Sequence, residues 1–399
     1  MVNKNNLSLM TIMLSAFFLT ACEEEGSKTL SDTSTTQVTF TTGQAADMVV
    51  GQLDFVTGDA ARTDSGLNQP YTNSFVDSNG SLYIPDYFNN RILVYSSLPT
   101  QAGAVASMVV AQPDFTTAVN IGPSENHMNG PITPFVYGEQ FFAVDYANHR
   151  LAIYNTIPTT SPGTMDVVIG QVDKISNGTS CSATTLYNPE AVFVVDGKII
   201  IADGKNHRVL IWNSIPTSDG QAASLVLGQD TADTCTANTG GLGPNSLNFP
   251  TAIWSDGTKL VVSDSSNHRV LIWNSFPSLN AQDADIVLGQ TSMYTNTSNQ
   301  GGSASATSLN NPYEGLHSLN GQLAVADTNN HRVLIWQNFP TTNAQAADVV
   351  IGQVDFVSSN AATSAEGLNF PAGVFLHQNK LIVTDRANNR LVIYSGNEN

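Results

Sequence analysis

The residue types best able to do chemistry in this sequence stand together in one short motif. The segment 264–269, Asp-Ser-Ser-Asn-His-Arg, brings an acid, an imidazole and a guanidinium into six consecutive positions. Such a group has the composition of a catalytic cluster. The motif is not unique, however, because close copies of it recur along the chain. They begin at Asp86, Asp145, Asp203, Asp264, Asp327 and Asp385.

The repetition argues that this signature has a structural role. Successive copies are about 60 residues apart, which is typical of a repeat architecture. Its four histidines should therefore lie far apart around an axis, whereas the ligands of one metal ion lie within about 2 Å of it. We expect the aspartate to bind amides of its own turn and the arginine to bridge neighbouring repeats. The histidines are His149, His207, His268 and His331.

Two acidic residues that are not repeated form the alternative chemical candidate. Glu190 follows the proline that opens one repeat, Glu314 lies two residues after the matching proline of another, and His317 comes shortly downstream. Side chains at these positions should approach the central axis, where they could serve as metal ligands or as an acid–base pair. Matching positions in other repeats offer no further ligands. We therefore expect no catalytic residue, no metal and no cofactor.

The composition limits the classes of partner. The chain has 399 residues and a net charge of −18, and only 15 residues are Lys or Arg. A nucleic-acid surface needs clustered basic residues to meet the phosphates, and these few are spread through the repeats. We expect no nucleic-acid partner.

Each repeat predicts four short strands. In the fourth copy these are residues 251–254, 259–263, 270–273 and 285–290, with Asp256-Gly257 as a tight turn between the first two. Several of the strands are apolar at every position, which indicates burial on both faces. Four-stranded sheets stacked radially around an axis provide that environment, so the repeats predict a β-propeller.

The two ends of the repeat region predict how the ring closes. Residues 47–52 form a fourth strand without its first three, and residues 390–394 form a third strand without its fourth. Each end completes the other, which leaves no free sheet edge. The sequence thus predicts an all-β, six-bladed propeller of four-stranded antiparallel blades, closed by an N-terminal strand that completes the C-terminal blade.

The signature followed by a hydrophobic strand resembles the NHL repeat over roughly residues 44–394. Six copies resemble a six-bladed NHL propeller, although Asn90 and Asn389 replace the histidine in two of them. The resemblance implies a bacterial variant with extended loops, similar to NHL-containing lipoproteins and extracytoplasmic proteins of unassigned role.

The N-terminal region predicts export and lipid attachment. Residues 1–21 have a short polar start and an apolar run too short to span a bilayer, which is typical of a signal peptide. Leu19-Thr20-Ala21-Cys22 resembles a bacterial lipoprotein signal, with Cys22 as the lipidated residue. Residues 22–43 are acidic and then rich in Ser and Thr, which favours a flexible tether. The propeller then occupies residues 44–399.

Function is expected where the copies differ. The two free positions of each signature and the long links between blades should share one face of the ring. Aromatic residues there suggest recognition of a protein, peptide or glycan, and the alternative is that they pack beneath the links. The predicted ligand face comprises Tyr71, Tyr87, Phe88, Tyr146, Glu190, Tyr313 and Glu314.

Cys181 and Cys235 lie in successive links on that face, so they form either a disulfide or two free thiols. The sequence thus predicts a monomeric, lipid-anchored lipoprotein of the cell envelope, on the periplasmic or cell-surface side, with the membrane contacted through its lipid only. A metal-assisted lyase or hydrolase with its site at the central channel is the alternative. An architectural envelope protein is the second alternative.

Overall fold

The computed structural model describes residues 38–398. It contains six four-stranded antiparallel sheets arranged as the blades of a ring. The predicted six-bladed propeller is therefore confirmed. Within residues 38–398, no helix has the length and apolar character needed to cross a membrane. The signal peptide, Cys22 and the tether up to residue 37 lie outside the described residues.

The first strand of each blade is the innermost, and these strands pack against one another around the axis. We number the blades 1 to 6 in the order of their first strands along the chain. Blade 6 meets blade 1 at this inner wall, where the Val374 amide donates to the Asn73 side chain at 2.7 Å. The rings of Phe75 and Phe375 also lie 5.2 Å apart. The ring is thus closed at its inner wall. The first strands are Phe75–Val76, Pro131–Tyr137, Pro189–Val195, Pro250–Ser255, Leu316–Leu319 and Pro371–His377.

The second and third strands form the buried middle of each blade. Nearly all their residues are buried, which agrees with their continuous apolar sequences. In four of the six blades an Asp or Asn with a Gly makes the turn that precedes the second strand, as at Gly257, whose φ of +83° suits glycine. The second strands are Leu82–Asp86, Gln140–Asp145, Lys198–Asp203, Leu260–Asp264, Gln322–Asp327 and Lys380–Asp385, and the third are Arg91–Tyr95, Arg150–Tyr154, Arg208–Trp212, Arg269–Trp273, Arg332–Trp336 and Arg390–Ser395.

The fourth strands are the outermost, and the one in blade 6 comes from the N-terminal end. Met48–Val50 pairs antiparallel with the strand that begins at Arg390, with Val50 opposite Leu391. The predicted closure is confirmed. In blades 1 to 5 the fourth strands are Met108–Val110, Val167–Ile169, Leu225–Leu227, Ile286–Leu288 and Val349–Ile351.

A second pairing of the two ends was not predicted. Val38–Thr39 pairs with Asn397–Glu398, and the side chains of Val38 and Phe40 are buried. Gly43 donates its amide to the Val350 carbonyl at 3.0 Å. Residues 38–43, which the sequence analysis assigned to the tether, therefore pack against blades 5 and 6.

Each signature forms one turn of 3-10 helix whose polar side chains are fully engaged. Arg269 Nε donates to Asp264 at 2.7 Å, and neither side chain is exposed. The same guanidinium donates to the carbonyls of Gly243 at 3.0 Å and Ser246 at 2.9 Å, and to that of Met293 in the following link. One arginine therefore ties two links to its blade. The turns are Tyr87–Asn89, Tyr146–Asn148, Gly204–Asn206, Ser265–Asn267, Thr328–Asn330 and Arg386–Asn388.

The histidine of the signature joins neighbouring blades. His268 Nδ1 accepts a hydrogen bond from the Asn311 amide of the next blade at 2.9 Å. Where asparagine replaces histidine, its side-chain oxygen does the same, as at Asn389, which accepts from the Gln69 amide at 2.7 Å. The position thus requires an acceptor next to a left-handed backbone, which explains both residue types.

Candidate functional site

Aromatic and acidic residues from several blades meet near the axis, on the face of the signature turns. The hydroxyls of Tyr71 and Tyr313 lie 2.8 Å apart. The Tyr71 ring is 5.0 Å from that of Tyr87, which in turn is 5.9 Å from Tyr146. Both acids act electrostatically on all four tyrosines. We call this group the axial cluster, and it comprises Tyr71, Tyr87, Tyr146, Glu190, Tyr313 and Glu314.

Glu190 fills a space that its own blade leaves empty. It follows Pro189 in the first strand of blade 3 and is fully buried. Gly204 occupies the first free position of the same blade's signature, and a Cβ there would lie 2.7 Å from Glu190 Cγ. The other five signatures carry a side chain at this position. The missing side chain at Gly204 is a signal in the sequence from which this arrangement could have been found.

Glu314 is held by an unusual backbone conformation. Its φ is +59°, in the left-handed region that few residues other than glycine, asparagine and aspartate adopt. Its amide donates to Thr251 Oγ1 at 3.1 Å, and its side chain is buried. Thr72 and Thr133, at the matching positions of blades 1 and 2, share this conformation, so it belongs to the repeat.

The burial of the two carboxyl groups is only partly compensated. None of their four oxygens has a partner at hydrogen-bonding distance and angle among the described residues. Burial raises the pKa of Glu190 to about 7, while weaker interactions with Glu314, Lys205, Arg386 and the Tyr146 hydroxyl oppose the rise. Burial, followed by the charge of Glu190, raises the pKa of Glu314 well above its usual value. The two groups are coupled, so they titrate as a pair.

Two cations stand over the aromatic rings of this face, and the sequence analysis did not include them in the site. The Arg386 guanidinium lies 4.3 Å from the centre of the Tyr71 ring. The Lys205 ammonium lies 5.2 Å from the centre of Phe249, whose ring stacks on Tyr313 at 6.0 Å. Both cations occupy free positions of their signatures, where they make cation–π contacts.

An aromatic girdle closes the channel below the axial cluster. The ring of Phe135 lies 4.7 Å from Phe75 and 5.0 Å from Phe193, and His317 lies 4.3 Å from Phe375. Burial lowers the pKa of His317 to about 3, so its imidazole is neutral. His317 Nδ1 accepts from the Leu376 amide at 3.2 Å. The histidine thus serves the packing of the girdle.

A small cavity of about 20 Å³ separates the girdle from Glu314. That volume holds a single water molecule or ion and excludes an organic ligand. Within the described part of the chain, no three His, Cys, Asp or Glu residues are grouped so that they could hold a metal. Any metal here would therefore depend on the two glutamates and on neutral oxygens.

The predicted ligand face is partly exposed. Phe88 has 52% of its surface exposed, and its ring stands edge-on to Tyr87 at 5.0 Å. Tyr87, Tyr146 and Tyr313 are half-buried, whereas Tyr71 is buried. The tyrosines thus pack together, while Phe88 faces solvent.

Cys181 and Cys235 form a disulfide in the structure, with Cα atoms 6.1 Å apart. The bond joins the links that lead into blades 3 and 4. It therefore fixes two neighbouring links of the face that carries the axial cluster.

These features define the protein as a six-bladed β-propeller with a built cluster at one end of its axis. No family model matches the sequence, and no curated protein matches it. A streptogramin B lyase structure is 11% identical, with a TM-score of 0.45, over 86% of this chain and 87% of that chain. The computationally designed Ika8 protein is 8% identical, with a TM-score of 0.41, over 86% of this chain and all of that chain. These similarities are too distant to bear on function.

Proposed function

We propose that this protein is a lipid-anchored, extracytoplasmic binding module that recognises a protein, peptide or glycan through the loop-rich face of its propeller. The observation that supports this most is the continuous set of aromatic contacts from Phe88 to Tyr313. Aromatic side chains provide large contact areas at a small cost in conformational entropy, and they are enriched among the residues that dominate binding energy.

This face combines apolar surface with charged groups of both signs. Glu190 and Glu314 supply buried acids, Arg386 and Lys205 supply cations, and Phe88 supplies exposed apolar surface. The net charge of −18 favours approach of positively charged surfaces.

The N-terminal attachment leaves this face accessible. Val38 and Phe40 border a recess lined by Asn320 and Gln378, which belong to the turns between first and second strands. Those turns lie on the opposite end of the ring from the signature turns. A chain anchored through Cys22 would therefore join the propeller at the end away from the axial cluster.

Capture of a partner from envelope extracts tests the proposal. Full-length protein and the variants Phe88→Ala and Tyr146→Ala would serve as bait, with bound material identified by mass spectrometry. We expect Phe88→Ala to retain the wild-type melting temperature and Tyr146→Ala, whose ring packs in the axial cluster, to remain folded with a lower one, and both to lose most of the captured partner.

Tyr294→Ala is the matched control, because Tyr294 is a 68%-exposed aromatic in a link outside the cluster. It should capture as well as the wild type. Equal capture by all four proteins would refute recognition at the axial face.

A metal-assisted lyase or hydrolase is the second candidate, and the raised pKa of Glu190 is the observation that favours it. A carboxyl group that stays protonated near neutral pH can act as a general acid. This candidate predicts turnover of a captured ligand that disappears in Glu190→Gln, whereas a binding module leaves its ligand intact.

A further inference from the structure

We propose that Glu190 and Glu314 together bind one divalent metal cation of the oxygen-preferring class, such as Ca²⁺ or Mg²⁺. The binding function proposed above does not require this site. The inference stands on the burial, contacts and surroundings of the two carboxyl groups.

Neither acid has an ion-pair partner among the described residues, and Lys205 and Arg386 only partly offset the burial of the pair. Glu190 is 0% exposed and Glu314 is 2% exposed, and all four carboxyl oxygens are without hydrogen-bond partners among the described residues. None of the ion pairs found within residues 38–398 includes either acid. Isolated buried carboxylates are costly unless they are paired, coordinated to a metal or protonated.

The charge of the two carboxylates and the size of the neighbouring cavity suit a divalent ion. Two carboxylates balance a divalent ion, which keeps the buried site neutral. The cavity of about 20 Å³ beside Glu314 is large enough for an ion or a water molecule and too small for an organic cation.

The atoms near the two acids that could bind a metal are mainly oxygens. The hydroxyls of Tyr146 and Tyr71 act on the two acids, and Asn73 and Thr133 line the cavity. His317 also lines it, but its Nδ1 already accepts from the Leu376 amide. Carboxylates with neutral oxygens suit Ca²⁺ and Mg²⁺, whereas Zn²⁺ sites favour His and Cys ligands.

The local structure of the chain accommodates the two acids at this position. Gly204 has no side chain, which leaves room for Glu190, and Glu314 adopts a left-handed backbone. Thr72 and Thr133 adopt the same backbone at the matching positions of blades 1 and 2, so the missing side chain at Gly204 is the feature specific to the acids.

Thermal unfolding of the full chain in detergent, with Ca²⁺, Mg²⁺ or a chelator, tests the proposal. We expect at least one of the two ions to raise the melting temperature of the wild type by several degrees, because a ligand that binds only the folded state stabilises it. Glu190→Gln and Glu314→Gln should each weaken the apparent affinity by about tenfold or more, since each removes a charged ligand.

Glu139→Gln is the control, because Glu139 is an exposed acid in the turn between the first and second strands of blade 2, at the end of the ring away from the axial cluster. It should keep the full shift. Equal shifts in all variants would place the cation elsewhere, and no shift with either ion would mean that the pair only shares protons. Either result overturns the proposal. Equilibrium dialysis of the wild type gives the metal stoichiometry, expected to be one, without reliance on any variant.

Discussion

Acidic side chains with the same chemistry have opposite environments in this molecule. Asp264 accepts hydrogen bonds from the Asn248 amide, the Asn267 side chain and Arg269, at 2.7 to 2.8 Å. Glu190 is equally buried and accepts none within the described residues. The fully satisfied acid recurs in every blade, and the unsatisfied one occurs where the repeat is broken. This contrast separates the structural acids from those available for binding.

The fit between Gly204 and Glu190 gives a prediction for one residue. Gly204→Ala should lower the free energy of unfolding by about 1–3 kcal/mol, because the new Cβ would lie 2.7 Å from Glu190 Cγ. The backbone at Gly204 is helical, so the cost arises from packing and not from φ. Denaturant unfolding measures the difference.

Gly178→Ala is the matched control, because a Cβ at Gly178 meets nothing within 4 Å. It should leave stability nearly unchanged. The cost of Gly204→Ala should also largely vanish in a Glu190→Ala background. An equal cost in both backgrounds would contradict the fit.

The sequence predicted part of the site because repetition marks which residues are exceptional. Glu190 and Glu314 were identified as acids without counterparts in the other blades. Arg386 and Lys205 were missed, because nothing local shows that a free signature position faces an aromatic ring of another blade. Burial and the missing hydrogen bonds also depend on contacts between distant blades, which a single sequence does not reveal.

At the scale of the elements, the signature joins the blades through an acceptor. Four copies use histidine and two use asparagine, and each accepts an amide hydrogen bond from the next blade. The two asparagines departed from the NHL pattern in the sequence. The structure shows that they preserve the contact that the histidines make.

This equivalence predicts the effect of changing His268. His268→Asn should change the free energy of unfolding by less than about 1 kcal/mol, because asparagine supplies the acceptor and tolerates the left-handed backbone. His268→Ala should cost about 1–3 kcal/mol, since the Asn311 amide loses its partner. Similar costs for both variants would show that the imidazole itself is required.

The same histidines predict a loss of stability in acid. Burial lowers the pKa of His149, His207, His268 and His331, so the unfolded chain binds protons more readily than the folded one. Their contribution is complete above the unfolded pKa of about 6.5 and declines as the pH falls below it. In a variant with all four histidines changed to Asn, the free energy of unfolding should depend less on pH between about pH 6.5 and pH 5. An unchanged dependence would assign the effect to other groups.

At the scale of the whole molecule, the sequence predicted the ring and its closure because the period and the displaced fourth strand are both visible in it. It placed the start of the propeller at residue 44, whereas residues 38–43 already pack against blades 5 and 6. That segment is rich in Thr, and its partners at Asn397–Glu398 lie at the other end of the chain. A local signal existed, since Gln44-Ala45-Ala46-Asp47 repeats the sequence of residues 345–348 before the fourth strand of blade 5.

Truncation tests how much each part of the N-terminal segment stabilises the ring. A chain that begins at Val38 should melt like the full-length protein. One that begins at Asp47 should be less stable by about 3–5 kcal/mol, because it loses the buried side chains of Val38 and Phe40. One that begins at Leu53 lacks the fourth strand of blade 6, and it should aggregate through the exposed edge. Identical melting of all three would contradict closure by this segment.

The proposed binding role of Glu190 and Glu314 implies that their burial lowers the stability of the unliganded fold. The most direct test compares the free energies of unfolding of the wild type and a Glu190→Gln, Glu314→Gln double variant in metal-free buffer across pH. Because burial raises both pKa values in the folded state, the wild type should lose stability relative to the variant as the pH rises through about 7. The variant should be more stable by on the order of 3 kcal/mol at about pH 8, with little difference at about pH 4. A double variant that is less stable than the wild type at the higher pH would show that the pair supports the fold, and would contradict the account.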